Sequence, residues 1–303
     1  MQKVNQEPRN KVRRTAGDNM LNGFFYICSG LFAIACLFPF LLVIISSFTE
    51  EATLVREGYK LIPTKWSMDA YMAVLSSATV PRAYGVTLFI TVIGTLLSLV
   101  LTAMCAYAIS GTMLKYRNII TFAFYFTMLF NGGLVSSYIL ISRYLQLRDN
   151  IWVYILPALI NPWNMFLMRN FFSSLPTSFR ESAHLDGANE FVILTRIVIP
   201  LSTPAIATIA LFYALGYWNT WMESMLYMDN EKLYSLQYLI MKIIRNIESS
   251  RSIAKQASIP MPIPPAETIR YATAILTIGP IIFLYPFLQR YFVSGLRVGG
   301  IKG

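Results

Sequence analysis

Histidine, cysteine and charged residues are scarce in this sequence, and their scarcity excludes several classes of protein. His184 is the only histidine among 303 residues, which removes most His-based metal sites and Ser-His-Asp triads. The three cysteines, Cys28, Cys36 and Cys105, lie in apolar stretches and suggest neither a disulfide framework nor a C-x-x-C metal site. We therefore expect no metal site and no catalytic residues in this chain.

Charged side chains make up only 13% of the sequence, whereas 55% of the residues are apolar and the mean hydropathy is +0.52. The apolar residues form long runs that could each cross a hydrocarbon core of about 30 Å, which takes about 20 helical residues. Because a backbone in lipid must satisfy its own hydrogen bonds, these runs are predicted to be helices, which gives an all-α integral membrane protein. The six predicted spans cover roughly 22–48, 84–110, 119–141, 150–172, 200–222 and 267–291.

Polar segments flank and separate the spans, and their charge predicts the orientation of the chain. The N-terminal tail and the short turn 111–118 are basic, which places both termini in the cytoplasm by the positive-inside rule. The sequence thus predicts a multi-pass protein of the bacterial cytoplasmic membrane. The predicted parts are a basic tail at 1–21, a six-helix membrane domain at 22–291 with outer segments 49–83 and 223–266, and a cytoplasmic tail at 292–303.

The net charge of +10 points to membrane lipid rather than to nucleic acid. The basic residues lie mainly in tails and loops, where they can contact anionic headgroups. In addition, no acidic residue lies centrally in any of the six runs. A proton-driven secondary transporter needs such a residue, so this alternative is disfavoured.

The segment Leu175–Pro204 lies between the fourth and fifth predicted spans, on the predicted cytoplasmic side. Thr177 or Ser178 could cap a short helix, with Glu181 completing a capping box. Gly187 can then reverse the chain, and a second helix from Asn189 is expected to end at Pro200, where span five begins. On these residues alone, the segment could equally be an ordinary loop turned by its glycine.

The pattern Glu181-Ser182-Ala183-x-x-Asp186-Gly187-Ala188, followed by Ile199-Pro200-Leu201 and Pro204, closely resembles the EAA loop of binding-protein-dependent ABC importer permeases. The one departure is Ser182, where the family has a second alanine. Across 20–303 the chain is similar to the carbohydrate subclass of MalG type, and to its LplC-like branch. The aromatic character of span five and the glycine-rich C-terminus carry that similarity.

The resemblance implies a type I importer permease with the MetI-like fold and a cytoplasmic coupling helix. It implies transport of a sugar, with an oligosaccharide expected and uronate-containing oligosaccharides among the candidates; the alternatives are a non-sugar solute or a stand-alone secondary transporter. The residues expected to contact the ATPase are Glu181, Ser182, Ala183, Asp186, Gly187, Ala188 and Pro200, with Gly300, Ile301, Lys302 and Gly303 of the C-terminal tail.

The implied partners are a second, homologous permease subunit, an ABC ATPase dimer and an extracytoplasmic sugar-binding lipoprotein. The sequence contains no G-x-x-x-x-G-K-[ST] pattern. ATP and Mg²⁺ are therefore expected on a separate ATPase subunit, with no cofactor in this chain.

Aromatic and amide side chains in two spans are candidates for a solute pathway, because sugars stack on rings and bond to amides. Tyr213, Tyr217 and Trp221 recur at a spacing of four and would share one helix face. The equally weighted alternative is an aromatic belt at the membrane interface. At Asn131-Gly132-Gly133 in span three, the alternatives are a broken helix lining a cavity and close packing through small residues. The candidate residues are Tyr213, Tyr217, Trp218, Asn219, Trp221 and Asn131.

Overall fold

The computed structural model describes residues 16–76, 79–111, 114–256, 267–280 and 282, and these residues are almost entirely helical. Two short segments are π-helical, Leu140–Tyr144 and Leu194–Val198, and three are 3-10 turns, Ile151–Tyr154, Leu156–Ala158 and Glu231–Leu233. The α-helices are α1 (Ala16–Ser47), α2 (Glu51–Glu57), α3 (Asp69–Leu75), α4 (Thr79–Ser110), α5 (Arg117–Leu129), α6 (Gly133–Ile139), α7 (Pro162–Ser174), α8 (Ser178–Leu185), α9 (Glu190–Ile193), α10 (Ile199–Leu201), α11 (Thr203–Trp218), α12 (Met222–Tyr227), α13 (Leu236–Gln256) and α14 (267–280).

Two helices are long and apolar enough to cross a membrane unbroken. They are Met20–Ser47 within α1, with a mean hydropathy of 2.6, and α4, with 2.3. None of the most apolar part of α1 is buried inside the chain, whereas a third of that of α4 is. The prediction of long apolar helices is thus confirmed for the first two spans.

The next three predicted spans are bent helix pairs, which brings the number of candidate crossings among the described residues to five. The bends are 115° between α5 and the helix Gly133–Tyr144, 48° within Ile151–Ser174, and 86° between Glu190–Leu201 and α11. The sixth predicted span lies only partly within the described residues, as α14.

An asparagine and a proline set the position of the 48° bend within Ile151–Ser174. Asn161 caps α7 by accepting a hydrogen bond from the amide of Asn164 at 3.2 Å, and Pro162 occupies the first turn, where its missing N–H costs nothing.

Helix α11 ends at Trp218, with Asn219 as its C-terminal cap. The helix of span five is therefore shorter than the predicted 200–222.

Helix α4 is the centre of the bundle and packs most extensively against α11 and α7. Gly94 allows the closest approach, since a Cβ atom there would lie 2.7–2.9 Å from three ring atoms of Tyr217. Small residues permit such approaches between membrane helices. The buried core around these helices includes Ile90, Ala106, Ile109, Met165, Met168, Phe172 and Ile209.

One face of α4 carries a hydroxyl at every turn, and we call the residues Thr87, Thr91, Thr95, Ser98 and Thr102 the hydroxyl seam. Ser98 Oγ lies 2.8 Å from the Tyr217 hydroxyl, and Thr102 Oγ1 lies 2.7 Å from the Tyr213 hydroxyl. Thr87 Oγ1 accepts a hydrogen bond of 2.9 Å from the Leu236 amide, at the start of α13. The seam thus connects α4 to α11 and to the segment that follows it.

The polar segment after α11 is attached to the bundle through Tyr154. The Tyr154 hydroxyl donates to the Leu233 carbonyl at 2.8 Å and lies 2.6 Å from Ser224 Oγ. Ser224 Oγ in turn donates to Ser235 Oγ at 2.9 Å. All three side chains are buried. Because buried polar groups require partners, this network fixes the start of α13 on the bundle.

Candidate coupling loop and solute pathway

The loop 175–204 forms two short helical arms that meet at Gly187. Helix α8 ends in a Schellman motif, in which the amide of Gly187 donates to the His184 carbonyl at 3.0 Å and the amide of Ala188 donates to the Ala183 carbonyl at 2.9 Å. Gly187 has φ of +80°, a conformation that glycine adopts without steric cost. The chain reversal expected at this glycine is confirmed.

The start of α8 differs from the expected capping box. Thr177 occupies the cap position with helical dihedrals and makes no side-chain capping bond; its carbonyl accepts from the amides of Arg180 and Glu181 at 2.9 and 3.0 Å. Neither Ser178 nor Glu181 makes a reciprocal cap. The capping prediction is wrong, because Thr177 already belongs to the helical turn and its side chain cannot reach the amides ahead of it.

Asn189 caps the second arm, where its side chain accepts a 2.9 Å hydrogen bond from the Val192 amide. The arm continues from α9 through the π-helical segment Leu194–Val198 into α10. Pro200 lies inside α10, and the sharp bend falls at Ser202, two residues later. Pro200 therefore does not end the second helix as expected, since a proline in the first turn of a helix is well tolerated.

The apolar side chains of the second arm are only partly buried against the bundle. Ile193, Leu194 and Val198 are buried, whereas Phe191 is 66% exposed. Four of the predicted ATPase contacts, Glu181, Ser182, Asp186 and Gly187, are exposed together at the elbow, Ala188 is half-buried, and Ala183 is buried beneath α8. Leu185 projects from the same elbow at 90% exposure.

The C-terminal end of α4 contacts both arms of the loop. The Tyr107 hydroxyl donates a short hydrogen bond to Oε2 of Glu190, and the Arg180 guanidinium carbon lies 4.8 Å from the Tyr107 ring centroid. Arg180 Nη2 also donates to Ser110 Oγ at 2.9 Å, and His184 Nε2 lies 3.2 Å from Oε1 of Glu190. Sequence reasoning missed this cluster, because its members are distant along the chain.

A cavity of about 540 Å³ lies between the loop and the ends of α4 and α7. Tyr107, Phe172, Arg180, Glu181 and Glu190 are among its lining residues. The loop therefore rests on the bundle through polar contacts at the rim of a cavity as well as through buried apolar side chains.

The predicted pathway residues in span five divide into two groups. Tyr213, Tyr217 and Trp218 are each no more than 5% exposed, and their polar atoms bond within the chain. The Tyr213 hydroxyl also accepts from the Asn161 amide at 2.9 Å, and Trp218 Nε1 donates to the Thr277 carbonyl at 3.1 Å. These contacts pack α11 against its neighbours, so the three rings form neither an exposed belt nor a free surface here. A pathway role for them stays a prediction.

Asn219 and Trp221 lie beyond the end of α11 and are exposed. Asn219 donates to the Leu215 carbonyl at 2.9 Å and accepts from the Gln237 side chain at 3.2 Å. Trp221 precedes α12 with extended φ, so it does not share a helix face with Tyr213 and Tyr217. That part of the prediction is wrong, because the helix ends three residues before Trp221.

Of the two alternatives for Asn131-Gly132-Gly133, the structure shows a broken helix, with a bend of 115°, whereas its role in lining a cavity stays a prediction. Phe130 is extended, Gly133 has φ of +81°, and the Asn131 side chain accepts a 2.8 Å hydrogen bond from the Gly133 amide. Within the described ranges, no other helix lies within 4 Å of a Cβ atom built on either glycine. The alternative of close packing through these glycines is therefore not observed inside the chain.

An open groove of about 590 Å³ between α5 and α7 also escaped the sequence analysis. Its lining includes the rings of Tyr125 and Trp163, the amides of Asn118 and Asn170, and Arg169. Arg169 Nε donates to the Ile109 carbonyl at 3.3 Å. The sequence signal that could have indicated this groove is the presence of polar residues at the start of α5 and near the end of α7, namely Asn118, Arg169 and Asn170.

The predicted tail contact, Gly300–Gly303, lies outside the described residues. Nearer the middle of the chain, Arg148 forms an ion pair with Asp229 at 2.6 Å.

The helical bundle and its broken spans define a membrane permease, and known permeases share both its sequence and its fold. The chain is 37% identical over 286 residues to the polygalacturonan/rhamnogalacturonan transport system permease protein YtcP of Bacillus subtilis (strain 168), covering 94% of this chain and 98% of the relative. It is 38% identical over 284 residues to Protein LplC of the same organism, covering 92% and 95%. No protein-family model matches the chain.

The fold also matches a solved structure, described as a bacterial ABC transporter involved in the import of the acidic polysaccharide alginate. The TM-score is 0.80 at 31% sequence identity, covering 92% of this chain and 99% of the other. The chain therefore belongs to the family of sugar ABC importer permeases, and the resemblance found in its motifs is confirmed.

Proposed function

We propose that this permease carries an acidic oligosaccharide across the cytoplasmic membrane, and that the elbow at Gly187 transmits the motion of a separate ATPase dimer to its helices. The observation that carries the proposal is the exposed elbow, with its left-handed glycine, at the end of the bundle. Small and acidic residues there leave room for a partner's backbone and offer carboxylates to a cationic partner. The six-span topology with cytoplasmic termini is part of this proposal.

The nature of the sugar is inferred from the relatives. One relative is named for polygalacturonan and rhamnogalacturonan, and the solved neighbour is described as importing the acidic polysaccharide alginate. Galacturonan and alginate both consist of uronate units, so an oligosaccharide containing uronate is the solute that these relatives favour. Exposed groups are the better candidates for contacting it: Asn131, Asn219, Trp221 and the rings and amides of the α5–α7 groove.

The proposed assembly contains a second homologous permease, the ATPase dimer that binds ATP and Mg²⁺, and an extracytoplasmic sugar-binding lipoprotein. The proposed ATPase contacts are Glu181, Ser182, Ala183, Asp186, Gly187, Ala188 and Pro200, with Gly300–Gly303 of the tail. Ala183 is buried and Pro200 lies far from the elbow along the chain, so both would act by supporting its shape.

The decisive experiment replaces Gly187 by valine in the importer co-expressed with its ATPase. A β-branched residue at φ of +80° costs about 1–3 kcal/mol of backbone strain, which the exposed elbow can relieve only by changing shape. We expect Gly187→Val to lose most of the ATPase that copurifies in mild detergent and most of the sugar-stimulated ATP hydrolysis.

Gly58 provides a matched control. It has φ of +74°, nothing lies within 4 Å of a Cβ atom built on it, and it follows α2 in the predicted outer segment. Because Gly58 also has ψ of −168°, a region essentially restricted to glycine, Gly58→Val imposes at least as much backbone strain away from the proposed ATPase contact and should leave copurification intact. If Gly187→Val retains both the ATPase and its stimulation while the protein folds normally, the proposed coupling role is wrong.

A further inference from the structure

Tyr107 lies in the last turn of α4 and contacts each arm of the coupling loop with a different part of its side chain. Its ring face lies under the Arg180 guanidinium of α8, and its hydroxyl donates to the Glu190 carboxylate at the start of α9. The two arms are otherwise joined by the Gly187 elbow and by the contact between His184 and Glu190. One side chain thus connects three helices.

The chemistry of these contacts favours a defined geometry. A hydrogen bond from a hydroxyl to a carboxylate is stronger than one between neutral groups, and it fixes the position of the acceptor oxygen. The planar guanidinium of Arg180 lies against the ring while also donating to Ser110 Oγ, on the same turn of α4. Arg180 therefore holds α8 to α4 through two residues of the same helical turn, Tyr107 and Ser110.

The connection bypasses the covalent route between the loop and the bundle. Along the chain, the loop continues into α7 on one side and, through a sharp 86° bend, into α11 on the other. A bend of this kind transmits displacement poorly. The contacts of Tyr107 instead lead directly to α4, the helix that packs most extensively against both α11 and α7.

We infer that Tyr107 is a positioning residue that joins both arms of the coupling loop to α4, so that the loop and the centre of the bundle move together when the ATPase closes. This inference rests on the proposed coupling function. Tyr107 itself need not contact the ATPase or the sugar.

The inference predicts a fixed distance between α9, which the Tyr107 hydroxyl holds through Glu190, and α4 through the ATP cycle, and spin labels can measure this distance. After Cys28, Cys36 and Cys105 are replaced by alanine, labels are placed at Phe191→Cys on α9 and Met104→Cys on α4, both of which are exposed. The full importer is compared without nucleotide and after trapping with ATP and vanadate. In the parent complex, the distance distribution should not change on trapping.

Removing the Tyr107 hydroxyl alone should uncouple the movement of the second arm of the loop from that of α4. In Tyr107→Phe the ring remains under Arg180 but Glu190 is released, so trapping should shift the distance by roughly 1–2 Å or more, the scale of helix displacements in switching proteins. Glu190→Ala should behave in the same way, whereas Glu190→Gln keeps an acceptor and should resemble the parent. Tyr116→Phe, an exposed tyrosine near the same end of the bundle, should have no effect.

The possible results separate this inference from the proposed function. If the ATPase copurifies and Tyr107→Phe keeps the fixed distance on trapping, the positioning role is wrong and the coupling function stands. If the ATPase fails to associate with the parent complex, both are wrong. An unchanged distance in the nucleotide-free variants would show that they fold correctly, so a shift seen only after trapping supports the inference.

Discussion

Replacing Gly94 by alanine tests the closest helix contact in the bundle. A Cβ atom at this position would lie 2.7, 2.8 and 2.9 Å from three atoms of the Tyr217 ring, closer than real Cβ contacts. The ring cannot withdraw freely, because it is buried and its hydroxyl bonds to Ser98 Oγ at 2.8 Å and to the Ile155 carbonyl at 3.4 Å. Either α11 must move away from α4 or these hydrogen bonds must break.

The expected loss follows from three contributions. Overpacking a well-filled interior costs about 1–3 kcal/mol. Hydrogen bonds between membrane helices contribute on average about 0.6 kcal/mol each, and those of Tyr217 would be strained or lost. Alanine in place of glycine in a helix offsets at most about 1 kcal/mol. We therefore expect Gly94→Ala to lower the free energy of unfolding by about 2 kcal/mol.

Unfolding of the purified permease in mixed detergent micelles, titrated with a denaturing detergent, measures this change. Gly85→Ala is the matched control, because Gly85 lies on the same helix with nothing within 4 Å of its built Cβ atom. It should be neutral or slightly stabilising. The double variant Gly94→Ala/Tyr217→Leu should lose less free energy of unfolding than the sum of the losses in the two single variants, because both substitutions act on the same contact. If Gly94→Ala is as stable as the parent, the described packing of α4 against α11 is wrong.

Two further predictions concern the polar segments. The Glu51 carboxylate accepts hydrogen bonds from the amides of Glu267 and Thr268 at 3.2 and 2.9 Å, at the start of α14. Glu51→Ala should therefore lower the free energy of unfolding by about 1–3 kcal/mol, and Glu51→Gln should lower it by less. Equal stability of the parent and both variants would contradict this contact. Asp149 has φ of +53° and accepts through Oδ1 from the two amides at 229 and 230, at 2.7 and 2.8 Å. Asp149→Ala should therefore be less stable than Asp149→Gly, by about 1 kcal/mol in the same titration, because only glycine tolerates this backbone without strain; the reverse order would refute the assignment.

Local features of the coupling loop could be predicted from sequence, because they depend on a few consecutive residues. The reversal at Gly187 follows from the conformational freedom of glycine, and the second arm begins at Asn189 as expected. The capping bond at Thr177 failed for a reason that sequence does not reveal, namely the backbone angle of the cap residue itself. Propensities describe which residues can cap, and the dihedrals decide which of them do.

Contacts between distant parts of the chain could not be predicted in this way. Tyr107 and Glu190 are 83 residues apart, and Thr102 and Tyr213 are 111 residues apart. Their side chains meet only once α4, the loop and α11 are assembled. The alignment proposed for Trp221 failed because it assumed that an apolar run remains helical to its end, whereas α11 stops at Trp218.

The hydroxyl seam of α4 also bears on how the protein assembles in the bilayer. Lipid chains are as apolar as leucine, so apolar surface alone gives two inserted helices little reason to prefer one vertical alignment over another. Ser98 and Thr102 are four residues apart on α4, and their partners Tyr217 and Tyr213 are four residues apart on α11, in the reverse order along the chain. The hydrogen bond between Thr87 and the start of α13 is compatible with the same alignment. A helix inserted one turn too deep would forfeit the bond at Thr87. The hydrogen bonds of the hydroxyl seam therefore favour this alignment of α4 against α11 over alignments that are displaced by a turn.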